Sequence, residues 1–187
     1  MDLESGCPDQ GGYRNTRLDV WQKQCMTILK SKLADEASVE LRQPSLTTYT
    51  TPTWEVVQVW YDIWRLHVQC EFQVKKRQAN GVVHASDEIK ISLDFEEREP
   101  GEYLSDDDME SLREAIRSRI TSLVKSELGG QPEVVSRGKK TEHIVQEQMS
   151  FTDPDEDVES VAKRLCQYVK TLMPAARLAV NQWVQDH

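Results

Sequence analysis

The sequence reads as an α+β fold, an antiparallel sheet of two hairpins packed by amphipathic helices. A long period-two alternation, an Asn-Gly turn and helical stripes on either side support that reading. From Trp64, the residues Leu66, Val68, Cys70, Phe72 and Val74 alternate with Arg65, His67, Gln69, Glu71, Gln73 and Lys75. Successive strand side chains point to opposite faces, so this segment sets one face on a core and presents polar groups on the other. Asn80-Gly81 supplies a hairpin turn. Ile89, Ile91, Leu93 and Phe95 then alternate with Lys90, Ser92 and Asp94 as the returning strand.

Taken in order, residues 1–16 carry Gly6, Pro8, Gly11 and Gly12 without periodicity and read as a flexible lead-in to a single domain over 17–187. Leu18, Trp21, Cys25, Ile28 and Leu29 recur at helical spacing up to about Leu33. Pro44, Pro52 and the threonines between them predict a loop, and Trp54 to Trp60 a strand. Ser105, a good helix cap, precedes three aspartates placed where the helix dipole favours negative charge. Gly129-Gly130 ends that helix. A second, shorter hairpin spans Glu133–Ser136 and Thr141–Phe151. Asp153-Pro154-Asp155-Glu156 starts a terminal helix that Pro174 is expected to kink or break, with Ala176 to Trp183 able to continue it.

Composition narrows the function classes. With 38% hydrophobic and 29% charged residues the chain has an ordinary globular balance. No apolar run approaches the roughly 20 residues needed to span a bilayer, and the amino terminus lacks a signal-peptide pattern, so a cytoplasmic protein is expected. The net charge of −9 is uneven: Glu96–Glu110 carries −7 and Asp153–Glu159 −5, leaving about +3 elsewhere. A surface that attracts nucleic acid everywhere is excluded; a local basic patch is not. Cys7, Cys25, Cys70 and Cys166 form no closely spaced pair, which argues for reduced, buried thiols and against a metal site.

Nucleotide-binding glycine loops, nucleophile elbows and HExxH motifs are absent. Glu88-Ile89-Lys90 has the ExK spacing of magnesium-dependent nucleases of the restriction-endonuclease type, with Glu71 as a second acid on the neighbouring strand. There a carboxylate holds magnesium while the lysine orients a water; no other cofactor is implied. Solvated strand faces carry such residues in any case. Lys75, Lys76 and Arg77, with Arg137, Lys139 and Lys140, lie near the two hairpin tips, where they suit phosphate binding or simply protect strand edges. Among the five tryptophans, Trp54, Trp60 and Trp183 are candidates for a protein interface or a homo-oligomer contact.

From about Trp54 to Trp183 the chain resembles a domain family of unknown function whose members are often fused to restriction-endonuclease-like nucleases in prokaryotic and phage proteins. The tryptophan-led hairpin, the Leu112–Leu128 helix closing on Gly129-Gly130, the strand pair and the Asp-Pro-initiated helix with late Pro174 carry the likeness. Val134 and Val135 stand where that family has a tryptophan. The resemblance implies an accessory role linked to phage defence and names no catalytic residue. The expected function is a non-enzymatic interaction module. A magnesium-dependent nuclease, and an acidic DNA mimic that binds a DNA-binding protein, are the alternatives.

Overall fold

A computed structural model describes residues 10–34, 45–51, 53–60, 66–76, 83–95, 104–135 and 142–187. Its elements are α1 (Gln10–Leu33), β1 (Ser45–Thr50), β2 (Trp54–Trp60), β3 (Leu66–Lys76), β4 (Val83–Phe95), α2 (Asp106–Leu123), β5 (Glu133–Val134), β6 (His143–Ser150) and α3 (Pro154–Asp186), with a wider π-helical turn over Val124–Leu128. The strands form one antiparallel sheet in the order β1-β2-β3-β4-β6-β5. The α+β expectation is met, and no described helix is long and apolar enough to cross a membrane.

Alternation in β3 and β4 separates the two faces as the sequence predicts. Leu66, Val68, Cys70 and Phe72, with Ile89, Ile91, Leu93 and Phe95, are buried in one core with all three helices. Helix α3 runs between α1 and α2, and its stripe from Val158 through Leu165, Leu172 and Val180 is buried. Trp21 of α1 packs edge-on to Phe72 and Phe151 at centroid distances of 6.3 and 5.3 Å. Cys25, Cys70 and Cys166 are buried and in no disulfide, and burial pushes the Cys70 thiol up from its ordinary range.

Helix ends follow local chemistry. Ser105 caps α2, its Oγ accepting from the Asp108 amide at 3.1 Å. Asp153 accepts from the Asp155 amide at the start of α3, and the Asp157 carboxylate accepts from the Thr152 and Asp153 amides. Gly129 and Gly130 take φ of 59° and 75° after the π turn, a region that disfavours side chains. Arg164 ties this corner to the sheet. Its Nε and Nη2 grip both oxygens of Glu147, while Nη1 and Nη2 donate to the carbonyls of Leu128 and Gly129.

Several boundaries differ from the expectation. The Pro44–Pro52 stretch contains a strand, β1, because threonine and tyrosine suit an edge position and β2 supplies a partner. Helix α1 begins at Gln10, inside the expected lead-in, since extending a helix costs little once its buried stripe has nucleated it. Strand β4 starts at Val83 rather than near Glu88, with a register shift opposite Phe72/Val74. Helix α3 continues through Pro174 to Asp186; Met173 and Ala176 are buried on either side of the proline, and that packing outweighs the missing backbone donor. Trp64, the Asn80-Gly81 turn and Cys7 lie outside the described residues.

One core group has no partner of its own. The Tyr168 side chain is fully buried and its hydroxyl has no hydrogen bond among the described residues. Burial raises the pKa of that hydroxyl far above the ordinary tyrosine value. Leaving a buried hydroxyl unpaired costs about 1–3 kcal/mol. Tyr168→Phe is therefore expected to stabilise the fold by about 1 kcal/mol in urea denaturation.

Candidate functional site

On the sheet face opposite the helices, strand register assembles polar side chains from four strands. Glu71 lies opposite Lys90, Gln69 opposite Ser92, and His67 opposite Asp94 across β3 and β4. Gln58 and Trp60 of β2 lie opposite Gln69 and His67. A register shift between Leu93 and Asp94 brings His143 of β6 opposite Asp94.

Five of these side chains close a circuit. The Gln69 amide donates to Asp94 Oδ2 at 2.7 Å and to Glu71 Oε1 at 3.0 Å. Lys90 Nζ contacts Glu71 Oε2 at 2.5 Å and His143 Nε2 at 3.0 Å. His143 Nδ1 completes it with Asp94 Oδ1 at 2.7 Å. One proton assignment satisfies every link: Lys90 donates to Nε2, so a neutral His143 carries its proton on Nδ1 and donates it to Asp94. Gln69 is oriented in turn, because its Oε1 accepts from Gln58 Nε2 at 2.7 Å. Ser92 adds a further donor to Asp94 at 3.0 Å. His67, fully buried, stacks on Trp60 at 3.9 Å with its Nε2 3.7 Å from Asp94 Oδ2.

Asp94 is fully buried, whereas Lys90, Glu71 and His143 keep 24%, 15% and 14% of their side-chain surface exposed. Those three groups form the edge of the circuit that reaches solvent, and Lys90 Nζ stands 5.8 Å from the Trp54 ring centroid. Chemically, the pairing of a buried carboxylate with an imidazole suits proton handling, but every donor in the circuit already has an acceptor within it.

His143 is where the circuit responds to pH. Burial lowers its pKa, but the hydrogen bond to Asp94 and that carboxylate's charge outweigh burial and the opposing Lys90 charge, so it lies above the ordinary 6.5. Protonation makes Nε2 a donor facing Lys90, which must then turn wholly to Glu71.

The expected nuclease residues are thus only partly assembled. Glu71 and Lys90 meet, but as an ion pair. Glu88 shares the Lys90 face and is exposed near the strand irregularity. Among the described residues no group of three histidine, cysteine or acidic side chains is placed to hold a metal ion. Trp54 and Trp60 are half-buried, the latter donating to Gln58 Oε1 at 2.9 Å, and Trp183 is half-buried with its Nε1 on Ser111 Oγ. The side chains of Lys75 and Lys76, and the whole of Arg77, Arg137, Lys139 and Lys140, lie outside the described residues. Sequence reasoning missed Asp94 and His143. Alternation marked Asp94 as polar-facing, but the register shift that delivers His143 left no signal.

No protein-family model, curated protein or solved structure matches the chain.

Two measurements probe the circuit. Asp94→Ala removes the carboxylate to which Gln69, Ser92 and His143 donate and is expected to cost about 3 kcal/mol in chemical denaturation. A histidine with a raised folded pKa stabilises the fold below its unfolded value of 6.5 and loses that contribution as pH rises through the folded value. Unfolding free energy is therefore expected to fall across that window, and His143→Gln to flatten the slope.

Proposed function

We propose that the chain is a non-enzymatic interaction module that pairs with a second copy of itself through the free edge of β1. The supporting observation is that edge. Among the described residues strand β1 has a neighbour on one side only, its six residues Ser-Leu-Thr-Thr-Tyr-Thr carry no charge, and all but Leu46 are exposed. Tyr49, 43% exposed, is the large apolar side chain left on that strand. The opposite edge, β5, is two residues long and includes Glu133. Strand edges template pairing with other chains unless charge, proline or brevity blunts them. Here β5 is blunted and β1 is not. Antiparallel pairing of two β1 strands about a two-fold axis joins both sheets into one.

The nuclease alternative has weaker support, because Lys90 is neutralised by Glu71. Magnesium-dependent cleavage abolished by Lys90→Ala is the result that would favour it. The DNA-mimic alternative loses support where Asp106–Asp108, Asp153 and Asp157 serve the starts of α2 and α3. A link to phage defence and a cytoplasmic location remain inferences from the sequence and its resemblance.

Sedimentation equilibrium over rising concentration tests the proposal. A reversible dimer is expected for the native chain, and a monomer of unchanged circular dichroism for Thr48→Lys/Thr50→Lys. A native chain that stays monomeric at the highest soluble concentration, or a variant that dimerises equally well, overturns it.

A further inference from the structure

The helix layer is charged against the rest of the chain. The whole sequence has 32 acids and 23 bases, yet residues 21–33 of α1, 113–126 of α2 and its π turn, and 160–185 of α3 hold eleven bases and one acid, Glu114, which Arg117 already engages. The other acids of these helices gather at their ends. The Trp183 indole donates to Ser111 Oγ at 3.0 Å, so the acidic start of α2 meets the end of α3. Arg164 donates to the Leu128 carbonyl, which sets the far end of α2 beside the first half of α3. Glu159 pairs with Lys163 at 2.9 Å and the Lys32 charge acts on it, so the end of α1 lies there too. The bases of three helices therefore share one area between two acidic rims. Lys23 and Lys30 of α1, Lys163 and Lys170 of α3, and Arg119 and Lys125 on the α2 side are exposed. Lys23 and Lys30, like Lys163 and Lys170, stand seven residues apart, two turns along one line of their helix. The Lys163–Glu159 pair is on the surface, with 58% and 61% of the two side chains exposed, and such pairs exchange readily for another anion.

What accompanies the charge decides which polyanion it fits. Ser118 and Ser122 are exposed on the same side of α2 as Lys125 and add hydroxyl donors. Among the described residues the exposed large apolar side chains are Tyr49, on β1, and Leu178 and Val184, which lie two turns and more beyond Lys170. A protein partner is gripped through aromatic or aliphatic anchors, a membrane through inserted apolar groups, and single-stranded nucleic acid through aromatic stacking. None of these stands among the bases. Lysine, arginine and serine without them is the chemistry that contacts duplex phosphates. The basic area runs about 10 Å along each helix and about 16–20 Å across the three. A duplex carries one charge per about 1.7 Å of its axis, so several bases meet phosphates at once. We propose that the outer face of the helix layer binds the phosphate backbone of double-stranded nucleic acid, without reading its bases. The inference is independent of pairing through β1, which uses the edge of the sheet. The acidic rims and the net charge of −9 repel the same polyanion, which confines contact to this face and makes it steeply salt-dependent.

The test is fluorescence anisotropy of a labelled DNA duplex of mixed sequence, titrated with the full chain in the absence of magnesium. Saturable binding is expected, weakening about a hundredfold or more between about 50 and about 200 mM salt. Lys30→Gln/Lys125→Gln/Lys170→Gln removes one base from each helix. It is expected to weaken binding about tenfold at low salt and to lower the slope of log affinity against log salt by about 3, with circular dichroism unchanged. Arg137→Gln/Lys139→Gln/Lys140→Gln, the basic run between Glu133–Ser136 and Thr141–Phe151, should bind as the native chain does. Acetylation of the native chain reads the same face without substitution: the duplex should shield Lys30, Lys125 and Lys170 and leave Lys90, on the opposite face of the sheet, unchanged. No saturable binding at low salt overturns the inference. So does undiminished affinity in the folded helix variant, or loss of binding in the Arg137 set alone. Tighter binding to single-stranded DNA, to phosphatidylserine vesicles or to polyglutamate than to the duplex overturns it as well.

Discussion

The sheet's polar face depends on satisfying one buried carboxylate. Asp94 has no solvent to stabilise its charge, so donors must come from the protein. They arrive from three strands: Gln69 on β3, Ser92 on its own β4 and His143 on β6. Gln58 extends the same network to β2 through Gln69. A slip of any of these strands by one residue would turn its contributor to the helix side and strand the charge. The network thus acts as a register lock, complementing the apolar face, where many residues of similar shape tolerate small shifts.

The helix side meets the same problem with arginine. Glu147 points toward the helices, and Arg164 neutralises it while satisfying two carbonyls at the end of the π turn. Gly130 belongs to this arrangement: a Cβ there would meet Arg164 Nη2 at 2.9 Å, and its positive φ already disfavours a side chain. Glu55 similarly accepts from the Trp21 indole at 2.9 Å. Both acids stand on strands with apolar neighbours, so α1 and α3 are held in place by directed bonds as well as by burial. Arg117 departs from this pattern: Glu110 and Glu114 meet its Nη1, while Nε and Nη2 are buried with no acceptor among the described residues.

These arrangements also separate structural from interactive polarity. At the start of α2 the Asp108 carboxylate is engaged by the Ser105 hydroxyl, at the start of α3 those of Asp153 and Asp157 accept from backbone amides, and the Glu71–Lys90 pair is consumed by its circuit. Strand β1 differs, because its outer edge meets no further strand among the described residues and its side chains bring no charge to discourage one.

Alternation over Leu66–Phe72 and Ile89–Phe95 determined the buried face of the central hairpin, because a period of two leaves no freedom over which side chains point inward. Ser105, Asp153 and Gly129-Gly130 determined helix ends for an equally local reason, the unpaired backbone groups found there. Strand β1 and the passage of α3 through Pro174 were decided by neighbours, β2 in one case and buried flanks in the other. The polar circuit lay further from view: Glu71, Lys90 and Asp94 were visible as polar positions, but their union with His143 depends on the β4–β6 register, a long-range pairing that short-range sequence pattern does not encode. The unpaired Nε and Nη2 of Arg117 are of the same kind, since exposure and acceptors are properties of the packed chain. Local geometry is written residue by residue; which distant groups meet is settled only when the layers close.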